Sequence, residues 1–293
     1  MAFHSLEEIQ KSCREKNVLF WRAVLLEDMA DRSVTETESM QSMQQMWTAM
    51  KSASEQYDRT QVSASGLVGK MGAQMEEYRQ SKEPLCGPFV SKVIARALEM
   101  GESNACMKRI VAAPTAGACG VLPAVLVPYF QKRCRDTDKI LKAMYVAAGI
   151  GQIIATRSSI SGAAGGCQAE IGSASSMAAG ALTYLQGGNC EQIATAAAMA
   201  MKNLLGLVCD PVAGLVEVPC VKRNVIGTVN AMACADMAMA GIVSRIPPDQ
   251  VMDAMKEVGD KMDASLRETA LGGLAQTEEG MKIAEKMHAS YEN

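Results

Sequence analysis

Three cysteines, Cys167, Cys209 and Cys220, each stand beside residues that break helices. Cys167 follows Gly165-Gly166, Cys209 precedes Asp210-Pro211, and Cys220 follows Pro219. Glycine and proline disfavour regular helix, and Pro211 also pushes Asp210 away from helical angles. The three thiols are therefore expected on irregular backbone, between helical segments of the stretch from Ser159 to Cys220. Loop amides can donate hydrogen bonds to a thiolate, and such bonds tune an iron–sulfur cluster. For any one of these cysteines, packing as a small buried hydrophobe carries more weight. Three at such junctions in one stretch favour a shared site. A cuboidal iron–sulfur cluster held by three thiolates leaves one iron open, and an open metal position can act as a Lewis acid on oxygen. Four thiolates would suit electron transfer better, so the count of three tilts toward hydro-lyase chemistry.

Other chemistries find no residues. The two histidines, His4 and His288, lie at the extreme ends, so no Ser-His-Asp or Cys-His arrangement is evident. There is no His-Glu-x-x-His, and no Cys-x-x-Cys of the zinc-ribbon, thioredoxin or ferredoxin kind. Gly66-x-x-Gly69-Lys70 is too short for a phosphate loop and is followed by Met71. A loop that closes over a small ligand remains open there. A net charge of −3 without a basic run gives no nucleic-acid footprint. Ten cysteines in 293 residues are not a small disulfide scaffold. With a polar, acidic start, Met1-Ala-Phe-His-Ser-Leu-Glu-Glu8, the expectation is reduced thiols in a cytoplasmic protein. The uncharged run Ile110 to Gln131 holds three prolines and two glycines, which suits a buried interior and not a bilayer span.

The elements that must position these residues read as helices. Hydrophobic residues make up 48% of the chain but aromatics only 4%, so the core must be Ala, Leu, Val, Ile and Met. Ser5-Leu-Glu-Glu8 predicts a capped helix continuing toward Met29, and Thr35-Glu-Thr-Glu38 predicts another. Met40, Met43, Trp47 and Met50 then share one face. Further helices are expected from Pro88 to about Met100, from about Pro123, over Asp138–Arg157 and Cys167–Gln186, from Asn189 to Leu205, and from about Arg223 to Ser244. The turn Pro114-Thr-Ala-Gly-Ala-Cys-Gly120 feeds the Pro123 helix; it reads equally as a plain cap or as an anion-binding helix start. Sustained period-two alternation is absent. The expected fold is all-α: a compact Ala/Gly-rich helical bundle with cluster-binding loops. Residues 1–60 are expected to form an N-terminal helical arm and residues 61–293 the all-α iron–sulfur catalytic domain, together one structural unit.

The chain resembles the α subunit of the bacterial iron–sulfur-dependent L-serine dehydratases. The matching segments are Ser63-Ala-Ser-Gly-Leu-Val-Gly69, Arg109-Ile-Val-Ala-Ala-Pro-Thr-Ala-Gly117, Gly120-Val-Leu-Pro-Ala-Val-Leu126, Ser159-Ile-Ser-Gly162, Gly166-Cys-Gln168, Cys209-Asp-Pro-Val212 and Val218-Pro-Cys220 with Arg223-Asn224. The resemblance covers about residues 5 to 275, and the cysteine frame with its flanks is highly specific. The resemblance implies a [4Fe-4S] cluster held by Cys167, Cys209 and Cys220, with the open iron helping the β-hydroxyl of L-serine to leave. Pyruvate and ammonia are then the products. It also implies that Thr115, Gly117, Ser159 and Ser161 line the serine site, with Thr115 and Gly117 donating to the substrate carboxylate.

Two departures from the family pattern shape the expectation. The family's proposed base is a histidine in a Ser-Ser-His-Thr-type motif of the β part, and no such motif occurs here. A β subunit of a hetero-oligomer, in a dimer of αβ pairs, is therefore expected to supply the base, with Lys108 and Lys202 as local alternatives. Before Cys209-Asp-Pro, where some members carry a histidine, this chain has Lys202-Asn-Leu-Leu-Gly-Leu207. The seven other cysteines read as structural, with Cys119 the first to question. Two further functions stay open from sequence: a related cluster-dependent lyase acting on threonine or cysteine, and a non-catalytic helical protein with a structural metal or cluster.

Overall fold

The computed structural model describes residues 3–291, and no strand forms among them, as the all-α expectation requires. Ser5 accepts a hydrogen bond from the Glu8 N–H and opens α1 (Leu6–Lys16). The expected single helix to Met29 is instead two. Asn17 turns left-handed and donates back to the carbonyls of Cys13 and Arg14, and α2 (Phe20–Arg32) starts afresh. Asparagine tolerates that conformation better than most residues, so it closes a helix much as glycine does. Thr35 and Glu38 form the full reciprocal cap of α3 (Glu36–Glu55). On the methionine face of α3, Trp47 and Met50 are buried, and Met40 and Met43 pack half-buried on the same core. Trp47 meets Phe130 edge to face, with ring centroids 5.6 Å apart.

Next come α4 (Met71–Ser81), α5 (Gly87–Ala105), α6 (Val121–Tyr129), α7 (Thr137–Arg157) and the single turn α8 (Gly162–Gly165). A π-helical turn, Gln168–Gly172, leads into α9 (Ser173–Leu185). After α10 (Cys190–Lys202), opened by the predicted Asn189–Gln192 cap, follow α11 (Cys220–Met239), α12 (Pro248–Lys261) and α13 (Glu278–Tyr291). Helix α9 is the hub: α6, α7, α10 and α11 all pack against it. Its sequence Ser-Ala-Ser-Ser-Met-Ala-Ala-Gly-Ala-Leu-Thr is almost wholly buried. Small side chains let four neighbours approach one helix, and Gly180 takes the Ile150 side chain where a Cβ would otherwise stand. No helix among the described residues is long and apolar enough to cross a membrane.

The α4–α5 seam carries a paired charge network. Burial pushes the Glu76 carboxyl up, but Arg79 at 2.5 Å and Lys92 at 3.2 Å outweigh it and hold it at about 2. Its folded pKa lies below its ordinary value of 4.5, so the ionised form stabilises the fold above that pH and loses its contribution as pH falls toward 2. Burial, then the Arg96 charge, lowers Lys92, which offsets part of the gain. We expect Glu76→Gln to cost about 1–2 kcal/mol near neutrality. In urea titrations at stepped pH, the gap to wild type should close between pH 4.5 and about 2.

Candidate active site

Each of the three sequence-predicted cysteines is positioned by a different device. Cys167 follows Gly166, which has φ 75°; the Leu207 carbonyl and Met262 Sδ would stand 2.9 and 2.7 Å from a Cβ there, so only glycine fits. Gln168, fully buried, ties this turn down: its Oε1 accepts from Gly206 N–H at 2.9 Å and its Nε2 donates to the Met255 carbonyl at 3.0 Å. Cys209 lies on a loop between two backbone bonds. Its N–H donates to the Leu266 carbonyl at 2.8 Å, and its carbonyl accepts from Glu268 N–H at 2.7 Å. Cys220 is the first residue of α11, so this helix begins three residues earlier than expected. Cys167 likewise opens the helical segment that leads into α9. Only Cys209 sits on irregular backbone throughout. Against the expectation of three loop thiols, Cys167 opens the helix read from Cys167 to Gln186, and Cys220 opens α11: glycine and proline here precede helix starts and do not exclude helix.

All three thiols are buried, with 3%, 3% and 8% of Cys167, Cys209 and Cys220 exposed. They are close enough to act on one another. Burial, then the charge of Cys167, raises Cys209; the same two causes raise Cys220 to about 12. Burial raises Cys167 to about 11, against the pull of Arg223. Three thiols that resist ionisation together need a cationic centre to hold them as thiolates. Among the described residues no three of His, Cys, Asp or Glu are spaced for one metal ion. A cuboidal cluster takes one thiolate per iron, so its ligands stand further apart than those of a single ion. The soft, all-sulfur donor set fits such a cluster.

Arg223 is the cation of the site, and its role was not evident from sequence. From the first turn of α11 its charge acts on the Cys167 thiol, and it donates to the Val208 carbonyl at 2.7 Å and pairs with Asp210 at 2.8 Å. The other Asp210 oxygen accepts from Leu274 N–H at 2.8 Å. One side chain thus links two of the three cysteine segments. Asn224, one turn later and 1% exposed, joins the third to the small-residue turn: it donates to the Cys220 and Gly117 carbonyls at 3.0 and 2.8 Å and accepts from Gly120 N–H at 2.8 Å.

The turn and loop named with the cysteines converge on one carboxylate. Both Glu170 oxygens lie 3.1 Å from where a Gly117 Cβ would stand, and Thr115 is close beside them. A Cβ on Gly162 would meet Glu170 Oε2 at 3.0 Å, and Cys209 Sγ and Glu268 Oε2 each at 3.1 Å. Thr115 and Gly117 therefore share one locus with the loop carrying Ser159 and Ser161. The Ser161 side chain is itself exposed, and the Ser159 hydroxyl is used inside the loop, accepting from Ser161 N–H at 3.0 Å. Thr115 Oγ1 is buried without a well-aligned hydrogen-bond partner. The Ser63–Gly69 loop is anchored to the same region, because Ser63 and Ser65 donate to Glu217 Oε2 at 2.8 and 2.5 Å. A cavity of about 430 Å³ runs alongside, lined by Ser65, Asn104, Met107, Ala116, Glu217 and Met287.

The leading charges felt at the three thiols come from one another, Arg223, Glu170 and Glu268. Neither Lys108 nor Lys202 is among them: Lys108 is exposed, and the charge of Lys202 is felt at Cys234. Cys119 is fully enclosed, pushed up to about 12 by burial, and its thiol faces the Met100 carbonyl at 3.7 Å. Glu170 and Glu268 were not singled out from sequence. The spacing of Glu170 three residues after Cys167, on one helical face, was a usable signal. Nothing local marks Glu268.

The family model described as serine dehydratase alpha chain matches residues 11–275. A probable L-serine dehydratase alpha chain of Bacillus subtilis is 42% identical over 97% of this chain and 95% of its own length. The L-serine dehydratase alpha chain of Peptoniphilus asaccharolyticus is 41% identical over 96% of both. An Escherichia coli L-serine dehydratase is 37% identical over 93% of this chain, which spans 61% of that longer protein. On these matches the chain belongs to the serine dehydratase alpha chain family.

Proposed function

We propose that this chain is the α subunit of an L-serine ammonia-lyase that converts L-serine to pyruvate and ammonia in the cytoplasm, with a [4Fe-4S] cluster on Cys167, Cys209 and Cys220. The observation that carries the reading is the meeting of three buried thiols with the Thr115–Gly117 turn and the Ser159–Gly162 loop around one locus. When bound, the cluster supplies a Lewis acid that eases departure of the β-hydroxyl. The chain does the rest of the positioning. Thr115 Oγ1, buried and without a well-aligned bond of its own, is available to donate to the substrate carboxylate. Asn224 fixes the Gly117 carbonyl, so the turn presents a constant face. The Arg223 charge acts on Cys167 and Cys220 and offsets negative charge around the thiolates. No histidine is among the groups acting on the thiols, so the base that removes the α-proton is assigned to a β subunit.

The test is pyruvate formation from L-serine by the chain combined anaerobically with its β partner, with threonine and cysteine run alongside. Serine turnover that fades in air and returns with iron, sulfide and reductant is expected. Turnover undiminished by air and chelator contradicts the cluster reading, and a preference for threonine or cysteine reassigns the substrate.

A further inference from the structure

Five acidic side chains are buried among the described residues, and each has a partner. Asp210 pairs with Arg223, Glu99 with Arg96, and Glu76 with Arg79 and Lys92. Glu102 accepts from the N–H groups of Met71 and Gly72 and from the Tyr57 hydroxyl, and Glu217 accepts from Ser63 and Ser65. Glu170 breaks the pattern. It is half-buried beside the cluster cysteines, yet no cation acts on it among the described residues; its neighbours are the Thr115 hydroxyl and a second carboxylate, Glu268. Removing a carboxylate from water beside another negative group is unfavourable without a compensating charge.

The geometry brings the negative groups of this wall together. Glu170 Oε2, Glu268 Oε2 and Cys209 Sγ lie 3.0, 3.1 and 3.1 Å from one point above Gly162, and both Glu170 oxygens lie 3.1 Å from the matching point above Gly117. Glycine at both positions lets the backbone come this close to the carboxylate, where a Cβ would crowd it. Glu170 lies deeper, and Glu268 is exposed at the rim, held by its N–H bond to the Cys209 carbonyl. Thr115 Oγ1 on the same wall has a buried oxygen with no well-aligned partner, so a donor and an acceptor face one locus.

We propose that Glu170, assisted by Glu268, binds the α-ammonium group of the substrate and so selects an amino acid over the matching hydroxy acid. The proposal rests on the serine reading above and extends it to the group that defines the substrate class. An ammonium ion held by a carboxylate is a charge-assisted hydrogen bond, and its loss weakens binding without touching the cluster ligands.

The test uses the αβ enzyme with wild-type, Glu170→Gln, Glu170→Asp and Glu268→Gln chains, each assayed for iron and sulfide. Two quantities are read: KM for L-serine, and inhibition by 3-hydroxypropionate, which keeps the carboxylate and hydroxyl but lacks the amino group. Glu170→Gln is expected to raise the serine KM by about 30-fold and to leave 3-hydroxypropionate inhibition within about twofold. Glu170→Asp should recover part of the loss, and Glu268→Gln should give a smaller loss of the same selective kind. An unchanged serine KM overturns the proposal, as does equal weakening of serine and 3-hydroxypropionate, or a fall in kcat at constant KM. If Glu170→Gln fails to hold iron, Glu268→Gln decides by the same selectivity. A wild type that does not act on L-serine overturns the parent reading, an outcome distinct from any confined to the variants.

Discussion

Cys209→Ser is expected to fold, to lose iron and sulfide, and to lose at least about 10³-fold in serine turnover, since a Lewis acid contributes several kcal/mol to a barrier of this kind. The scaffold around Cys209 does not depend on its sulfur. The backbone is held from both sides by Leu266 and Glu268, and the neighbouring Asp210 is fixed by Arg223 and Leu274. A hydroxyl fits the same space but is a harder, far less acidic donor than a thiol and a poor ligand for an iron–sulfur centre. Unfolding of the metal-free variant should therefore match metal-free wild type within about 1 kcal/mol. Cys119→Ser is the matched control. Its thiol faces the Met100 carbonyl inside the core, and it should retain iron, sulfide and turnover.

Arg223→Met has the largest expected effect on stability. Asp210 is 4% exposed and would keep only its bond from Leu274 N–H, while the Val208 carbonyl would lose its donor. Removing one partner of a buried pair costs about 3–5 kcal/mol, because the remaining charge stays buried alone. The same change removes the positive charge that acts on the Cys167 thiol, so iron content should fall as well. Urea unfolding of the metal-free protein reads the first effect, and iron content after reconstitution reads the second. Adding Asp210→Asn should recover part of the stability, since no unpaired charge then remains, but should not restore the positive charge near Cys167.

Much of this was legible from local sequence. The caps at Ser5, Thr35 and Asn189 are short-range chemistry, and each opens a helix as read. The methionine face of α3 follows from period alone. The break at Asn17 was missed because asparagine closes a helix only when its backbone turns left-handed, and the surrounding apolar spacing ran on through it. The helical placement of Cys220 was missed for a related reason: proline just ahead of a residue is as compatible with a first helical turn as with a loop. The cysteine frame was readable because three junctions recur within one stretch. What surrounds it was not. Arg223 reaches back to Asp210 and Cys167, and Glu268 arrives at Cys209 through a bridge between segments far apart in sequence. Such partners are set by tertiary packing, and no local pattern announces them.

The most direct test of the account is iron and acid-labile sulfide content of the wild-type chain after anaerobic reconstitution, read with its visible absorbance before and after L-serine is added. About four iron and four sulfide per chain, with a spectral change on adding serine, are predicted for an open-iron cluster on three thiolates. A chain that takes up neither iron nor sulfide, or whose cluster spectrum ignores serine, contradicts it.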